Sequence, residues 1–561
     1  MTTDPAAFPP IAGQVLRPAA GPAVCGLLAI LAASPALGEP PIQFRDVAPA
    51  GGLDFVLENH PTERKHLIET MAGGVAVFDY DGDGRIDIFF TNGAAVPSWR
   101  KESPKYHNRL FRNEGGWKFR DVTSEAGVSG EGYAIGVASA DYDNDGDADL
   151  FVGGVRRNIL YRNEGQGKFV DVTAEAGIRS GLWCEGAAWL DYDNDGQLDL
   201  FVVNYLQWTP EFNFYCGDQA AGVRAYCHPR LFDGLPNTLY RNRGNGTFED
   251  VSEKSGIAAH VGKGMSVAAA DYDLDGFMDI FVTNDKIANF LFHNKGDGTF
   301  EEVALFAGGA LQDSGMAVSS MGVDFRDADN DGYPDIVYAA LAGETFPIFL
   351  NTRDGMFRDG GHVTGMAPLS HTRSGWSIGL VDLDNDGWKD IFTTNSHVND
   401  TVEFFEAAKY KLTNSVFRNS GRGKFLDVSA GSGLDRGTPQ AHRGCGFADF
   451  NGDGRVDVVV ASLQGPAELW ENVSPGGGRW IVLRLAGTKS NRDGIGARIT
   501  IGGQHNHMTT SVGYNSSSRS GVHFGLGGGD RIERIEIRWP SGAVQTLNGV
   551  KAGQVLEVAE P

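Results

Sequence analysis

The hydrophobic pattern of this chain is a series of short apolar runs cut by Asp- and Gly-rich breaks, with no sustained helical period. Seven times a run such as "VAVF" (75–78) stops at an acidic loop, and a β-rich run follows at once: "IFF", "LFV", "LFV", "IFV", "IVY", "IFT" and "VVV". Runs this short, bounded by turn formers, predict buried strands joined by a tight loop. A second pattern follows each loop at about fifteen residues or more, as in "NRLFRNEGGWKFRDV" and "NILYRNEGQGKFVDV", and predicts a hairpin turned by Asn and Gly. Four short strands per unit, repeated seven times, predict an all-β protein: a seven-bladed β-propeller over residues 43–475 and a small β-sandwich-like domain over 476–561.

The two ends of the repeat region are complementary. The seventh unit has "AELWEN" (467–472) but lacks the F-x-D-V strand that follows elsewhere, and "QFRDV" (43–47) stands alone at the start. Counting Phe44, Phe119, Phe169, Phe248, Phe300, Phe357 and Phe425 gives one such strand per loop. A ring whose first strand completes its last blade needs this arrangement; an open solenoid does not.

The loops carry the chemistry. They are "DYDGDGRID" (Asp79, Asp81, Asp83, Asp87), "DYDNDGDAD" (Asp141, Asp143, Asp145, Asp149), "DYDNDGQLD" (Asp191, Asp193, Asp195, Asp199) and "DYDLDGFMD" (Asp271, Asp273, Asp275, Asp279), followed by "DADNDGYPD" (Asp327, Asp329, Asp331, Asp335), "DLDNDGWKD" (Asp382, Asp384, Asp386, Asp390) and "DFNGDGRVD" (Asp449, Asn451, Asp453, Asp457). Oxygen ligands at positions 1, 3, 5 and 9 with Gly at 6 suit Ca²⁺, a hard cation that accepts irregular oxygen shells, and predict up to seven ions. A carbonyl at position 7 would complete the shell, so the side chain of Asp147 is expected to face solvent. An EF-hand needs Glu at position 12, which here is Phe90, Val152, Val202, Val282, Tyr338, Thr393 or Val460. Softer metals want Cys or His, and neither occurs within the seven loops. The alternative is a set of solvated Asp-Gly turns without metal.

The net charge of −24 argues against nucleic acid or an anionic membrane as the main partner. Seven dications would offset more than half of it. Residues 1–38 read as an export signal, with Arg17 before the uncharged run "AVCGLLAILAA" (Ala23 to Ala33) and small residues Ala36 and Gly38 ahead of a cut. That places the protein outside the cell, secreted, periplasmic or on the cell surface, as a monomer without an integral membrane segment. In that setting Cys216 and Cys227, which bracket an irregular insertion, are expected to form a disulfide, while Cys184 and Cys445 fall in different repeats as separate buried thiols.

The D-x-D-x-D-G-x-x-D loops between apolar strands resemble the FG-GAP/VCBS repeats of the integrin α-subunit propeller. Beyond Gly476, "SNRDGIGARI" (490–499), "HFGLG" (523–527) and "WPSG" (539–542) resemble the ASPIC/UnbV domain that follows such propellers in the cartilage acidic protein family. The resemblance implies an extracellular, calcium-binding protein and no defined reaction.

Other residues invite sharper readings. His505 and His507 alternate onto one strand face, either as metal ligands or as surface residues. Asn491, Arg492 and Asp493 either bind a polar ligand or hold an Asx turn. His66, Glu69, His371 and His397 lie in connections, where solvated side chains are the rule, and no G-x-S-x-G, phosphate loop or H-E-x-x-H is present. The expected function is therefore a calcium-binding scaffold for an extracellular protein or glycan, with the C-terminal domain as a second binding or anchoring module. The alternative is a secreted hydrolase, lyase or biosynthetic accessory enzyme working on the propeller face.

Overall fold

The structure is a computed structural model that describes residues 42–476 and 478–561. The expected export segment, 1–38, lies outside the described residues. Among the described residues, seven sheets of antiparallel strands follow one another along the chain. Their innermost strands are Val75–Phe78, Tyr133–Ala140, Cys184–Leu190, Gly264–Ala270, Val323–Arg326, Gly375–Val381 and Ala441–Ala448. Each packs against the next, and the last packs against the first, which makes a ring.

Small residues let these strands approach the axis: "GMSVAAA" of the fourth sheet is buried along its whole length. At Gly136 a Cβ would sit 2.1 Å from the Glu185 carbonyl oxygen of the neighbouring sheet, so no larger residue fits. The ring closes as the complementary ends require. Phe44 pairs with Asn472, Arg45 with Glu471 and Asp46 with Trp470, so the first strand is the outer strand of the last sheet.

Past residue 478 the pattern changes to a three-stranded and a four-stranded sheet around Ile481, Leu483, Ile499, Ile537 and Trp539. This region is not detached from the ring: residues 39–561 form one compact unit. Its segment 508–521 leaves the sandwich and enters the ring axis, where Ser517–Arg519 lies parallel to Ala76–Phe78 as a fifth strand of the first sheet.

The innermost strand of every propeller sheet leaves one edge unpaired toward the axis, and buried N–H and C=O groups need partners there. The segment supplies them to five sheets and bonds side chains of the other two. Ser516 Oγ accepts from Val75 N (3.1 Å), Ser517 Oγ from Ser139 N (3.1 Å) and Ser518 Oγ from Phe447 N (3.0 Å). Ser511 Oγ donates to the Val267 carbonyl, Gly513 N to the Val323 carbonyl (2.8 Å), Tyr514 N to Ser377 Oγ (2.9 Å) and Asn515 Nδ2 to Glu185 (2.9 Å). Hydroxyls suit this task because one Ser side chain reaches a strand edge that a second backbone cannot.

Candidate metal sites and the two ends of the ring

In an antiparallel meander the turn between the first and second strands of a sheet lies at one end, and the connections into the first strand and between the second and third lie at the other. All seven acidic loops are first-to-second turns, so they share one end of the ring. The C-terminal domain covers that end and touches every loop. Arg484 donates to the Gly84 carbonyl (3.0 Å) and Arg492 N to Asn144 Oδ1 (2.7 Å). The Lys489 carbonyl, Gly496, His505 and Gln504 lie against Gly196, Met278, Gly332 and Gly387. At Gly454, with φ +84°, the Trp480 indole stands where a Cβ would be.

Each loop folds by the same bonds. The position-1 carboxylate accepts the N–H of the position-6 glycine, from Gly454 to Asp449 at 2.7 Å through Gly84 to Asp79 at 2.8 Å to Gly276 to Asp271 at 3.1 Å. The position-5 carboxylate accepts the N–H of position 7, as in Arg85 to Asp83 and Asp147 to Asp145, both 2.9 Å. The position-9 carboxylates, Asp87, Asp149, Asp199, Asp279, Asp335, Asp390 and Asp457, are buried and accept the N–H of position 2. Asp147 is half-buried rather than fully in solvent.

Burial raises these acids far above the ordinary carboxylate range: Asp87 to about 8, and Asp141, Asp191 and Asp382 to about 7. Neighbouring carboxylates add to the effect at Asp141, with Asp493 and Asp145 facing it. A nearby dication would reverse it. Asp79, Asp81 and Asp87 bring one oxygen each within 4.8 Å of one another, as do Asp141, Asp143 and Asp149, and Asp191, Asp193 and Asp199. The Oδ1 atoms of Asp81, Asp143, Asp193 and Asp384, all at position 3, are buried without a hydrogen-bond partner. Carboxylate oxygens left free at one point, with no thiolate nearby, fit a hard dication.

Two Asn ladders tie the loops together, and only the structure shows them. The Asn of each hairpin caps the turn, as the sequence predicts, by accepting the N–H two residues on, as Asn113 does from Gly115 (2.9 Å), and also donates to the preceding loop: Asn113 to the Phe450 carbonyl, Asn163 to Tyr80, Asn242 to Tyr142, Asn294 to Tyr192, Asn351 to Tyr272, Asn419 to Ala328 and Asn472 to Leu383, at 2.7–3.0 Å. Its own N–H meets the position-9 carboxylate, as from Asn113 to Asp87 at 2.7 Å. At position 4, Asn144, Asn194, Asn330 and Asn385 donate forward to the position-6 carbonyl of the next loop, at 2.9–3.1 Å. Position 4 is left-handed throughout, which explains Gly or Asn there. Leu274, at φ +65°, is the exception.

In three sheets an Arg one residue before the hairpin Asn braces the loop: Arg112 to Asp81 (2.8 Å), Arg241 to Asp193 (2.7 Å) and Arg418 to Asp384 (2.6 Å). In the fourth sheet that residue is His293, which the sequence reading did not select because it lies outside the loop. Its Nδ1 is 3.2 Å from Asp279 Oδ1 and 3.6 Å from Asp273 Oδ2. The absence of His from the loops therefore does not hold for the fourth site in space.

The remaining candidates disperse. His507 is buried, and burial pulls its imidazole down to about 3; His505 is half-buried beside Thr500 Oγ1 (3.2 Å). Neither is the free surface histidine expected of that strand. Asn491 closes a turn by accepting from Ile495 N (2.8 Å), and Asp493 binds Arg519 and the Asp141 N–H (3.0 Å), so the 491–493 loop docks the domain on the second acidic loop. Cys216 and Cys227 form a disulfide, and Cys184 and Cys445 are buried free thiols.

At the opposite end, His66 and Glu69 are buried, not solvated. His66 meets Trp208 edge-on, and burial lowers it to about 4. Glu69 accepts from Thr62 Oγ1 (2.6 Å) and Tyr226 OH (3.1 Å). His371 is exposed, and His397 is buried and accepts from Asn399 N (3.0 Å). On the axis, Glu185 takes bonds from Trp183 Nε1 (2.6 Å), Tyr514 OH (3.2 Å) and Asn515, and burial raises it to about 8. Its only trace in the sequence is a lone charge inside the apolar strand "CEGAAWL".

A family model described as FG-GAP-like repeat matches residues 79–152, 141–202, 231–282, 273–338 and 327–393, and one described as ASPIC and UnbV matches 487–561. The chain is 27% identical over 342 residues to cartilage acidic protein 1 of Homo sapiens, covering 59% of this chain and 48% of that one. The Xenopus tropicalis protein of the same name is 27% identical over 367 residues, covering 62% and 53%. The chain thus spans about half the length of these relatives. Among solved structures, a lectin from Agrocybe aegerita that recognises non-reducing terminal N-acetylglucosamine overlays with a TM-score of 0.37 at 17% identity, covering 71% of this chain and 87% of that one, too loosely to bear on the ligand. The repeated acidic loops, the ring they close and the domain that caps them place this chain in the FG-GAP-like repeat family, with an ASPIC and UnbV domain at its C-terminal end.

Proposed function

We propose that the protein is an extracellular, calcium-clipped propeller scaffold that binds a protein or glycan partner with the end of the ring facing away from the C-terminal domain. The observation that carries the calcium reading is the set of buried, unpartnered carboxylate oxygens at position 3, converging with positions 1 and 9 in successive loops. The bound ions would be held by the aspartates of positions 1, 3, 5 and 9 and would neutralise charge that burial otherwise disfavours.

The free end of the ring favours binding. Its connections carry the exposed aromatics Phe212, Phe214, Tyr215, Phe404 and Phe405 beside the 216–227 disulfide hairpin. Thr401 Oγ1 donates to the Arg224 carbonyl, which holds the two loops together. Exposed aromatics clustered on ordered loops are the composition of a recognition surface. A binding role is favoured over a channel enzyme because residues 511–519 fill the axis where such an enzyme would hold its substrate. No helix among the described residues is long and apolar enough to cross a membrane.

The test is a glycan and protein array probed with the full chain in calcium and in chelator, alongside a Phe404→Ala/Phe405→Ala variant. Binding lost in the variant, without turnover of the bound ligand, is expected. Ligand consumption by the purified protein would overturn the scaffold reading.

A further inference from the structure

The fourth loop differs from most of its siblings at three points. Position 4 is Leu274, in a left-handed conformation that elsewhere belongs to Gly or Asn. The residue before the hairpin Asn, an Arg in the first, second, third and sixth sheets, is His293, the one imidazole at that position. The third departure is a backbone bond: in the other six loops Oδ1 of the position-1 carboxylate accepts the N–H of position 5, as Asp79 does from Asp83 at 3.1 Å, but Asp275 N turns to Asp273 Oδ1 instead. Asp271 Oδ1 is left buried and without a partner on a residue only 8% exposed.

These changes gather a different donor set. Asp273, Asp279 and His293 each bring one ligand atom within 4.8 Å of the others, and Asp273 is shared with a second such group, Asp271, Asp273 and Asp275. Two ligands side by side on one ion with bonds of about 2.1 Å stand roughly 3.0–3.5 Å apart, and His293 Nδ1 is 3.2 Å from Asp279 Oδ1. The imidazole is held edge-on to the Tyr272 ring, at 6.0 Å between centroids. A cavity of about 300 Å³ between this loop, the fifth loop and the C-terminal domain has Asp271 and Leu274 in its wall.

We propose that the fourth loop is a mixed nitrogen–oxygen site for a borderline first-row dication of the zinc type, while the other six loops hold calcium. Calcium takes oxygen ligands and gains nothing from an imidazole; zinc binds imidazole and carboxylate together. A guanidinium has no lone pair to give a cation, whereas a neutral imidazole offers one. The proposal builds on the calcium reading of the other loops but stands on its own donors.

The experiment uses the full chain, stripped with chelator, resaturated with calcium in excess and titrated with zinc by calorimetry, with bound metals counted by elemental analysis. One zinc per chain is expected in the presence of calcium, with imidazole scattering at the zinc absorption edge. His293→Arg, which installs the residue of the first, second, third and sixth sheets, should weaken that site at least about 100-fold while keeping the fold and the calcium count, and His293→Asn should do the same without adding charge. Zinc uptake unchanged in both variants, or no zinc bound over calcium, overturns the proposal and leaves His293 as a protonated stand-in for Arg. Zinc bound by the wild type but no calcium retained would instead sink the calcium reading and leave this one intact.

Discussion

At one end of the ring, seven copies of a nine-residue motif lie under a domain that touches every copy. At the other end the connections differ in every sheet, and three of them put aromatic side chains into solvent. The loop end is repetitive because each loop solves one problem, the folding of four carboxylates around a point and their linkage to both neighbours. The far end is irregular because nothing there must recur, which leaves it free to carry recognition. Where the chain is most uniform it is hidden, and where it varies it is exposed.

The largest break in this contrast should come from chelation. EDTA is expected to lower the melting temperature by about 10 °C or more, because ligands that bind only the folded state are lost and like charges remain crowded. Scanning calorimetry in calcium and in EDTA checks it, and an unchanged melting curve would sink the structural-metal reading.

Next in size is the axial segment. Tyr514 is fully buried, edge-on to Trp376 at 4.8 Å, and its hydroxyl donates to the Met71 carbonyl at 2.8 Å. Tyr514→Ala should cost about 3–5 kcal/mol in a denaturant titration, while Phe404→Ala at the far end should stay within about 0.5 kcal/mol. Equal effects would show that the two ends are not differently built.

A third test uses pH. Carboxylates such as Asp87, raised from 3.8 to about 8, and Asp141 and Asp382, raised to about 7, hold protons in the folded chain that the unfolded chain has already released. Stability of the chelated protein should therefore be highest near pH 4 and fall as pH rises toward 8. Calcium, by favouring the ionised forms, should flatten that slope. Melting temperatures at pH 5 and 8 with and without calcium read it directly.

The smallest effect sharpens the comparison within the loop end itself. Leu274 is the one large side chain in a left-handed position that its siblings give to Gly or Asn. Leu274→Asn should stabilise by about 1 kcal/mol, measurable as a shift in denaturant midpoint, and Asn194→Leu should lose a similar amount.

Much of this was readable beforehand. The loops, the strands on either side of them, the strand that closes the ring and the Cys216–Cys227 pair all announce themselves by local pattern. Other features were missed or misjudged for a shared reason. Asn113 and its counterparts were legible as turn residues, because a turn is local and their Oδ1 atoms do accept the N–H two residues on, but their second bond, to a carbonyl in the preceding sheet 337 residues away for the Asn113–Phe450 pair, was not. "SVGYNSSSRS" (511–520) carries no pattern that marks it as the axial segment, since hydroxyls reveal nothing of the strand edges they will serve. His66 and Glu69 looked solvated because burial is not written in a connection's composition.

Repetition, periodicity and residue type along a few consecutive positions settled the strands, the oxygen-rich loops and the closure of the ring, because each of those depends on neighbours in the chain. Folding in three dimensions settled which end is covered, what fills the axis and that His293 stands among the aspartates of the fourth loop. Those are contacts between residues far apart in sequence, and they exist only once seven sheets have packed around a common axis.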